Sequence, residues 1–410
     1  MPRLRGRPRL KGQRGNKVLA IVVANGRTGL GMLRALHMAG IPAWVACPAN
    51  DLVTRSRWFR PLPDHNPWDG SCGPPVADLL AMLPDAVLIP GADDAALWMA
   101  DLPSSPSGQR FPVSTSSRDT LEILQDKSRF AEFLRGKDIP HPRTFPISCR
   151  EDIAAVPFGE IGRVFVKPAN SQEFTRMLGV KALAADGRAD VERIWERLRG
   201  KGLHAMVQEY VPGAANDHCF VDGFRDAHGT LTGLFARRRW RIHPPDFGNS
   251  SYCESIPLEE VQEALGSLEK LLSTLSYRGI FSAEFKRDAR DGAFRILEVN
   301  TRAWWYVEFA ARCGINVCEM AYRDAQGLAV VPSARNYPVG VGCVNLPADI
   351  KAVLKQSPRT GSWWKIMRQW LSSHFLVFRA DDPAPAWATL WGMLRYRLGA
   401  LRALKKAGHV

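Results

Sequence analysis

The segment Phe281–Arg302, FSAEFKRDARDGAFRILEVNTR, decides how this chain is read. Two alternating stretches flank Arg290-Asp291-Gly292, the pattern of a β-hairpin. Side chains two apart on a strand share a face, so Glu298 and Asn300 point the same way. Glu284 joins them only by pairing directly with Glu298, which centres the hairpin on Asp291. A three-residue, or otherwise odd-numbered, loop gives that register, with Gly292 in the left-handed position of a type I turn plus bulge. A two-residue Asp291-Gly292 turn would instead pair Glu284 with Val299 and send Glu298 to the other face. In the first register two carboxylates and an amide oxygen converge, a hard-oxygen set suited to Mg2+. The competing reading is an ordinary hairpin with a solvated, charged face.

Composition bounds the answer. A chain of 410 residues holds two or three domains and buries a large core. At 46% hydrophobic and 23% charged residues it belongs with globular proteins. The net charge of +14 belongs to the ends: residues 1–17 carry seven Lys or Arg and no acid, and residues 351–410 carry eleven against two Asp. The body between them is therefore close to neutral. Eight scattered cysteines without a CxxC pair suit reduced thiols in a cytoplasmic enzyme. The apolar run Val18–Ala24 is short for a secretory signal, and no stretch approaches the ~18 apolar residues of a membrane span.

Lys17–Ala24 has the continuous apolar character of a buried parallel strand. Asn25–Gly31 turns into a helix, Met32–Ala39, and Ile41–Cys47 is the next strand, so a βαβ unit opens the protein. Its glycines read GxxGxG, and the second strand ends in Cys47-Pro48 without a ribose-binding acid. A tight turn in an open α/β sheet therefore fits better than a dinucleotide site. A short helical piece at Asp78–Leu83, a strand at Ala86–Ile89 and a helix from Asp93-Asp94 to about Ala100 follow. The Pro/Ser/Gly-rich stretch 101–117 reads as a linker.

Beyond it, Asp119–Leu124 and Lys127–Arg135 are helical, with Lys127 at a helix start. Arg163–Pro168 is a strand whose alternation buries Val164 and Val166 and puts Lys167 on the opposite face with Phe165. An ammonium buried there needs an anionic partner. Met206–Val211 is a further strand; extended backbone beside Gln208 and Glu209 can meet an adenine edge, and Asn216 or Asp217 lies one turn later, within reach of a ribose.

This set resembles the ATP-grasp superfamily, which includes biotin carboxylase, D-alanine–D-alanine ligase and other carboxylate–amine ligases. The resemblance spans roughly residues 18–330 and rests on Lys127 in QDKSRF, Lys167 in VFVKP, the hinge Gln208-Glu209-Tyr210-Val211, and Glu284 with Glu298-Val299-Asn300. It implies a mixed α/β and α+β architecture. A basic tail (1–17) and an open parallel α/β domain (18–115) would precede a two-subdomain ATP-grasp core (116–205 and 206–330) and a helical extension (331–410). It further implies ATP against the hinge, with Lys127 and Lys167 on its phosphates. Glu284, Glu298 and Asn300 would hold two Mg2+ ions, or Mn2+ in their place, and Arg302 would face the γ-phosphate or the substrate carboxylate. Of the hinge neighbours, Asp217 is preferred over Asn216 for the ribose. The sequence departs from the family in Gln208, where many members have Glu, and in Ala169–Phe174, which lacks the glycines of a phosphate lid.

The strand Leu231–Trp240 ends in Arg237-Arg238-Arg239-Trp240-Arg241, and alternation puts Arg237, Arg239 and Arg241 on one side. In similar ligases a basic residue at this position holds the acceptor carboxylate; Arg241, or Arg239 behind it, is the candidate, since a guanidinium meets a carboxylate with two parallel bonds. In the extension, Trp387, Trp391, Leu394, Leu398 and Leu401 form one helical stripe flanked by Arg395 and Arg397. A helix packed on its own protein or on the mate in a homodimer is the first reading, and a peripheral membrane contact through 386–410 the second. The basic tail has no interleaved aromatics, so no specific nucleic acid is expected. The resemblance thus implies a ligase joining small-molecule carboxylates to amines. Bicarbonate activation and a non-catalytic ATP-binding regulator are the alternatives.

Overall fold

The computed structural model describes residues 17–62, 82–105, 108–168, 182–201, 205–245, 248–333, 336–356 and 363–407. The basic segment 1–16, most of the short piece expected at 78–83 and the loop 169–174 lie outside the described residues.

Three sheets organise the described residues. The first has the order β2-β1-β3, with β1 (Leu19–Val23) paired in parallel to β2 (Ala43–Ala46) and β3 (Ala86–Pro90). The helix joining β1 to β2 starts earlier than expected, at Gly26, and runs to Met38. Gly29 and Gly31 thus lie inside it, and both serve close packing. A Cβ on Gly29 would come within 2.8 Å of Val53 and one on Gly31 within 2.9 Å of Val307. The Gly26 N–H donates to the Asp51 carboxylate at 2.9 Å. An acid therefore stands where a dinucleotide phosphate would approach.

The second sheet has the order β4-β7-β5-β6, with antiparallel neighbours: β4 (Thr144–Ile147), β5 (Val164–Pro168), β6 (Leu183–Ala185) and β7 (Ala205–Glu209). Val164, Val166 and Val207 pack with Trp195 and Leu198 of the Arg188–Arg199 helix in a core of their own. The strand expected to reach Val211 stops at Glu209, and the division expected between 205 and 206 falls inside it. Tyr210–Gly213 is the crossing to the third sheet.

That sheet has seven strands in the order β12-β11-β8-β9-β10-β13-β14. They are β8 (His218–Arg225), β9 (Leu231–His243), β10 (Asn249–Ile256), β11 (Gly279–Arg287), β12 (Phe294–Asn300), β13 (Gly342–Val344) and β14 (His374–Phe375). The last two come from the segment expected to be a helical extension, so that segment also widens the sheet. Val221, Ala283, Phe285, Ile296 and Val299 share the main core with Leu265, Leu268 and Leu272 of the Gln262–Thr274 helix.

Arg34, on the first helix, is fully buried and ties distant segments together. It pairs with Glu308 at 3.1 Å and with the Asp382 carboxylate at 3.0 Å, and donates to the Asp382 carbonyl. Asp382 also accepts from Ser56 Oγ and the Arg57 N–H. Arg34→Ala leaves the buried Asp382 carboxylate without its cation, while Glu308 keeps Arg379 and Arg312, and should cost about 3–5 kcal/mol of stability. Urea unfolding checks this, and a loss under about 1 kcal/mol would overturn the assignment.

Candidate active site

Glu284 does pair with Glu298, and Ser282 with Asn300, but not by the expected loop. Nearer the turn Phe285 pairs with Ile296 and Arg287 with Phe294, and the Asp288 N–H donates to Ala293 O. The loop Ala289–Gly292 is therefore even-numbered, with Gly292 left-handed at φ 76° and its N–H on Asp288 O. A β-bulge at Leu297 supplies the missing residue and switches the register. Ile296 and Val299 can then both face the core while Leu297 and Glu298 both line the cleft.

Across the cleft, Lys167 stands on the face opposite Val164 and Val166 and donates to Gln208 Oε1 at 2.5 Å. Gln208, buried, donates in turn to Thr144 Oγ1, so its amide aims the lysine. Lys127, at the start of the Lys127–Gly136 helix, lines the same cavity. Burial, with Lys127 adding to it, pushes the Lys167 ammonium down to about 8.

Glu284 Oε1 meets His218 Nδ1 at 2.9 Å and Arg239 Nη2 at 3.0 Å. Burial favours the neutral acid, yet Arg239 and then His218 outweigh it and hold the carboxyl well below the usual range. Glu298 is exposed in the cleft, and the Asn300 amide leans towards it at 3.4 Å. Among the described residues no three His, Cys, Asp or Glu side chains gather as a metal site. The donor set is instead two carboxylates and an amide, a hard-oxygen chemistry that fits Mg2+, which retains several waters.

Three cavities share walls here. One of about 220 Å3 is lined by Lys127, Lys167, Gln208, His218, Glu284 and Glu298, among others. A second of about 260 Å3 runs along Glu209, Tyr210 and Val211. A third of about 530 Å3 lies against Asp93, Asp94, Lys127, Glu298 and Asn300. Leu297 lines all three.

Both arginines expected to touch substrate have partners within the protein. Arg241 grips Asp349 with Nε at 2.9 Å and Nη2 at 2.7 Å, while Nη1 donates to Gln369. Its fork is filled by the C-terminal segment, and Arg239, the residue named behind it, is the one beside Glu284. Arg302 forks onto Asp93 at 3.0 and 3.2 Å. In the hinge, the Glu209 carboxylate accepts from the Arg143 N–H at 3.0 Å and from Arg290 at 2.5 Å, and the Glu209 N–H donates to Arg143 O at 2.9 Å, so its side chain is held within the protein. Asp217 turns back to accept from the Ala214 N–H at 2.6 Å.

Sequence reasoning missed His218 and the Asp93 partner of Arg302. His218 had a signal: it opens β8 two residues before Phe220, and the cross-strand ladder sets it against Lys286 and beside Arg239.

No family model matches the chain. It is 23% identical over 216 residues to D-aspartate ligase of Enterococcus faecium (strain Aus0004), covering 50% of this chain and 50% of that protein. The chain thus spans about half the length of this curated relative. Among solved structures, a biotin carboxylase–β,γ-ATP complex from Campylobacter jejuni superposes with TM-score 0.61 at 17% identity, covering 80% of this chain and 74% of that one. The biotin carboxylase domain of Hydrogenobacter thermophilus 2-oxoglutarate carboxylase, with MgADP, ADP and bicarbonate, gives 0.60 at 16% identity, again over 80% and 74%. N5-carboxyaminoimidazole synthetase from Staphylococcus aureus, with ADP, gives 0.58 at 13% identity over 79% and 80%. The chain has the ATP-grasp fold. That is the architecture of these nucleotide-binding synthetases and carboxylases.

The depressed Lys167 gives a signed pH test. Below about 8 the ammonium is charged and can meet a phosphate; above it the charge is lost. Affinity for a phosphate-bearing probe, ADP, should hold steady at lower pH and fall by up to about tenfold per unit above the inflection if Lys167 is the group that meets the phosphate. Titration calorimetry across roughly pH 7–9.5 reads this, and Lys167→Arg should remove the inflection because a guanidinium stays charged. An inflection that survives in Lys167→Arg would assign the proton to another group.

Proposed function

We propose that this chain is an ATP-dependent ligase that activates a carboxylate as an acyl phosphate for attack by an amine or similar nucleophile. The observation that carries the reading is one cavity lined by Lys127, Lys167, Glu284 and Glu298. Two cations stand opposite two carboxylates across a cleft between two sheets, as binding a polyphosphate together with a divalent cation requires.

Adenine would lie along the Gln208–Val211 segment; the Tyr210 N–H is held by Arg163 O, so the Val211 backbone, where the chain leaves the sheet, would meet its polar edge. Lys127 and Lys167 would hold the phosphates, and Asp217 would need to release Ala214 to reach a ribose. Glu284, Glu298 and Asn300 would hold Mg2+, which when bound supplies charge neutralisation between the phosphates. Arg239 and His218 keep Glu284 ionised and oriented for that task. With the nucleotide seated, a substrate carboxylate oxygen bonds to the γ-phosphorus and the bond to the bridging oxygen breaks, leaving ADP. The nucleophile's nitrogen then bonds to the acyl carbon, phosphate departs with the C–O electron pair, and the nitrogen loses its proton. Catalysis of this kind is positioning and electrostatics, the first worth on the order of 7–11 kcal/mol.

Likeness to D-aspartate ligase puts D-aspartate and other amino acids first among carboxylates to try. The test is ADP release by the purified protein over a panel of carboxylate and amine pairs, with biotin plus bicarbonate as a separate arm. Pair-dependent ADP release supports the ligase, and biotin-dependent release would transfer the assignment to bicarbonate activation. Glu298→Gln should lower turnover by at least about a hundredfold while leaving the unfolding midpoint unchanged, since its side chain is exposed. Wild-type turnover in that variant would remove the metal assignment.

A further inference from the structure

The last helix, Ala384–Ala407, is built inside-out. Trp387, Leu390, Trp391, Leu394 and Leu398 fall within about 100° of its circumference, and all five are exposed. Trp387 is 57% and Trp391 59% accessible. The side that is half-buried or buried carries Pro385, Ala386, Ala388 and Thr389. Over Ala384–Leu390 small residues thus face the protein while the apolar stripe faces away, and from Trp391 on every described side chain is exposed. The stripe therefore does not pack on its own protein, as one half of the first reading had it, which leaves the other half, a dimer mate. The Trp363–Leu371 helix buries Ile366 and turns Trp370 to Asp349, yet leaves Trp363, Met367 and Leu371 exposed on one arc, with Lys365 and Arg368 also exposed.

Charge decides what covers these faces. Residues 383–410 hold five Lys or Arg and no acid, and residues 351–380 hold six and no acid. The two acids between them are taken, Asp381 by Arg379 and Asp382 by Arg34. A second copy would set one basic helix against another with no carboxylate to offset them. An anionic surface supplies the complement, and tryptophan is the side chain suited to a lipid–water boundary. Among the described residues no helix is long and apolar enough to cross a membrane, so the geometry is that of a helix lying flat. At 24 residues it would cover about 36 Å.

We propose that the outward face of the Ala384–Ala407 helix, together with the exposed arc of the Trp363–Leu371 helix, seats on an anionic lipid bilayer. This surface is separate from the cleft, and its test does not depend on the ligase reading. The full chain is floated with phosphatidylcholine vesicles and with vesicles containing about one third phosphatidylglycerol. It should rise with the anionic vesicles only, and less as salt increases. Trp387→Ser with Trp391→Ser should cut binding by about tenfold or more. Arg395→Glu should weaken it selectively on anionic vesicles. All these side chains are exposed, so the unfolding midpoint and nucleotide binding should not change. The proposal falls if the protein stays down with anionic vesicles, if neutral vesicles bind equally well, or if the double variant still floats. Dimerisation that the double variant breaks, without vesicle binding, would make a second copy the occupant.

Discussion

A single buried guanidinium holds this architecture together. Arg34 sits on the helix of the first sheet, and its two carboxylate partners come from positions 274 and 348 residues away in sequence. Arg379 reaches the same Glu308, and Arg57 and Ser56 reach the same Asp382. Burying an arginine costs several kcal/mol unless its donors are satisfied, and this cluster satisfies them with charge on both sides. The consequence is geometric. The first sheet, the Val307–Arg312 helix and the C-terminal segment meet in one arrangement, and the seven-stranded sheet carrying the candidate site is fixed between them.

The site face of that sheet repeats the logic at smaller scale. Asp222, fully buried, is met by Arg237 at 2.6 Å and by Ser282 Oγ, and the Arg237 guanidinium lies 3.8 Å over the Phe220 ring. One step along the strands, Arg239, His218 and Glu284 form the next layer. The first layer is closed, with every partner inside the protein. The second opens onto the cleft, and it is the layer that faces Lys127 and Lys167. A row of cross-strand charges on one face thus grades from structural support to candidate chemistry.

What could be read from the chain follows the range of the forces involved. Short-range signals were legible: apolar runs gave β1, β3 and β5, alternation put Lys167 on the face away from the core, and spacing demanded that Glu284 meet Glu298. The same reasoning chose an odd-numbered loop because it assumed an unbroken ladder. A bulge at Leu297 achieves the pairing instead, and no composition signal distinguishes Leu297 from a regular strand residue. The partners of the two arginines were illegible for a different reason. Arg241 lies 108 residues from Asp349, and Arg302 209 residues from Asp93, so a guanidinium that looks free in sequence is filled in three dimensions.

The hinge shows how the two walls of the cleft are kept in register. Glu209 closes the small sheet, yet its carboxylate binds Arg290 in the turn of the β11–β12 hairpin, while its other oxygen takes the Arg143 N–H beside β4. Arg290 is held in turn by Asp288, and the Ala289 N–H donates to Pro212 O within the crossing segment. The wall carrying Lys167 and the hairpin carrying Glu284 and Glu298 therefore meet at two points close to the Tyr210–Gly213 connection. Charges near 4 Å interact several times more strongly at a protein surface than in bulk water, so small changes in their separation carry a large energetic weight. Tying the turn to the hinge fixes the Lys167 wall to the carboxylate-bearing hairpin beside the crossing, so the positions of Lys167, Glu284 and Glu298 depend on the same few contacts.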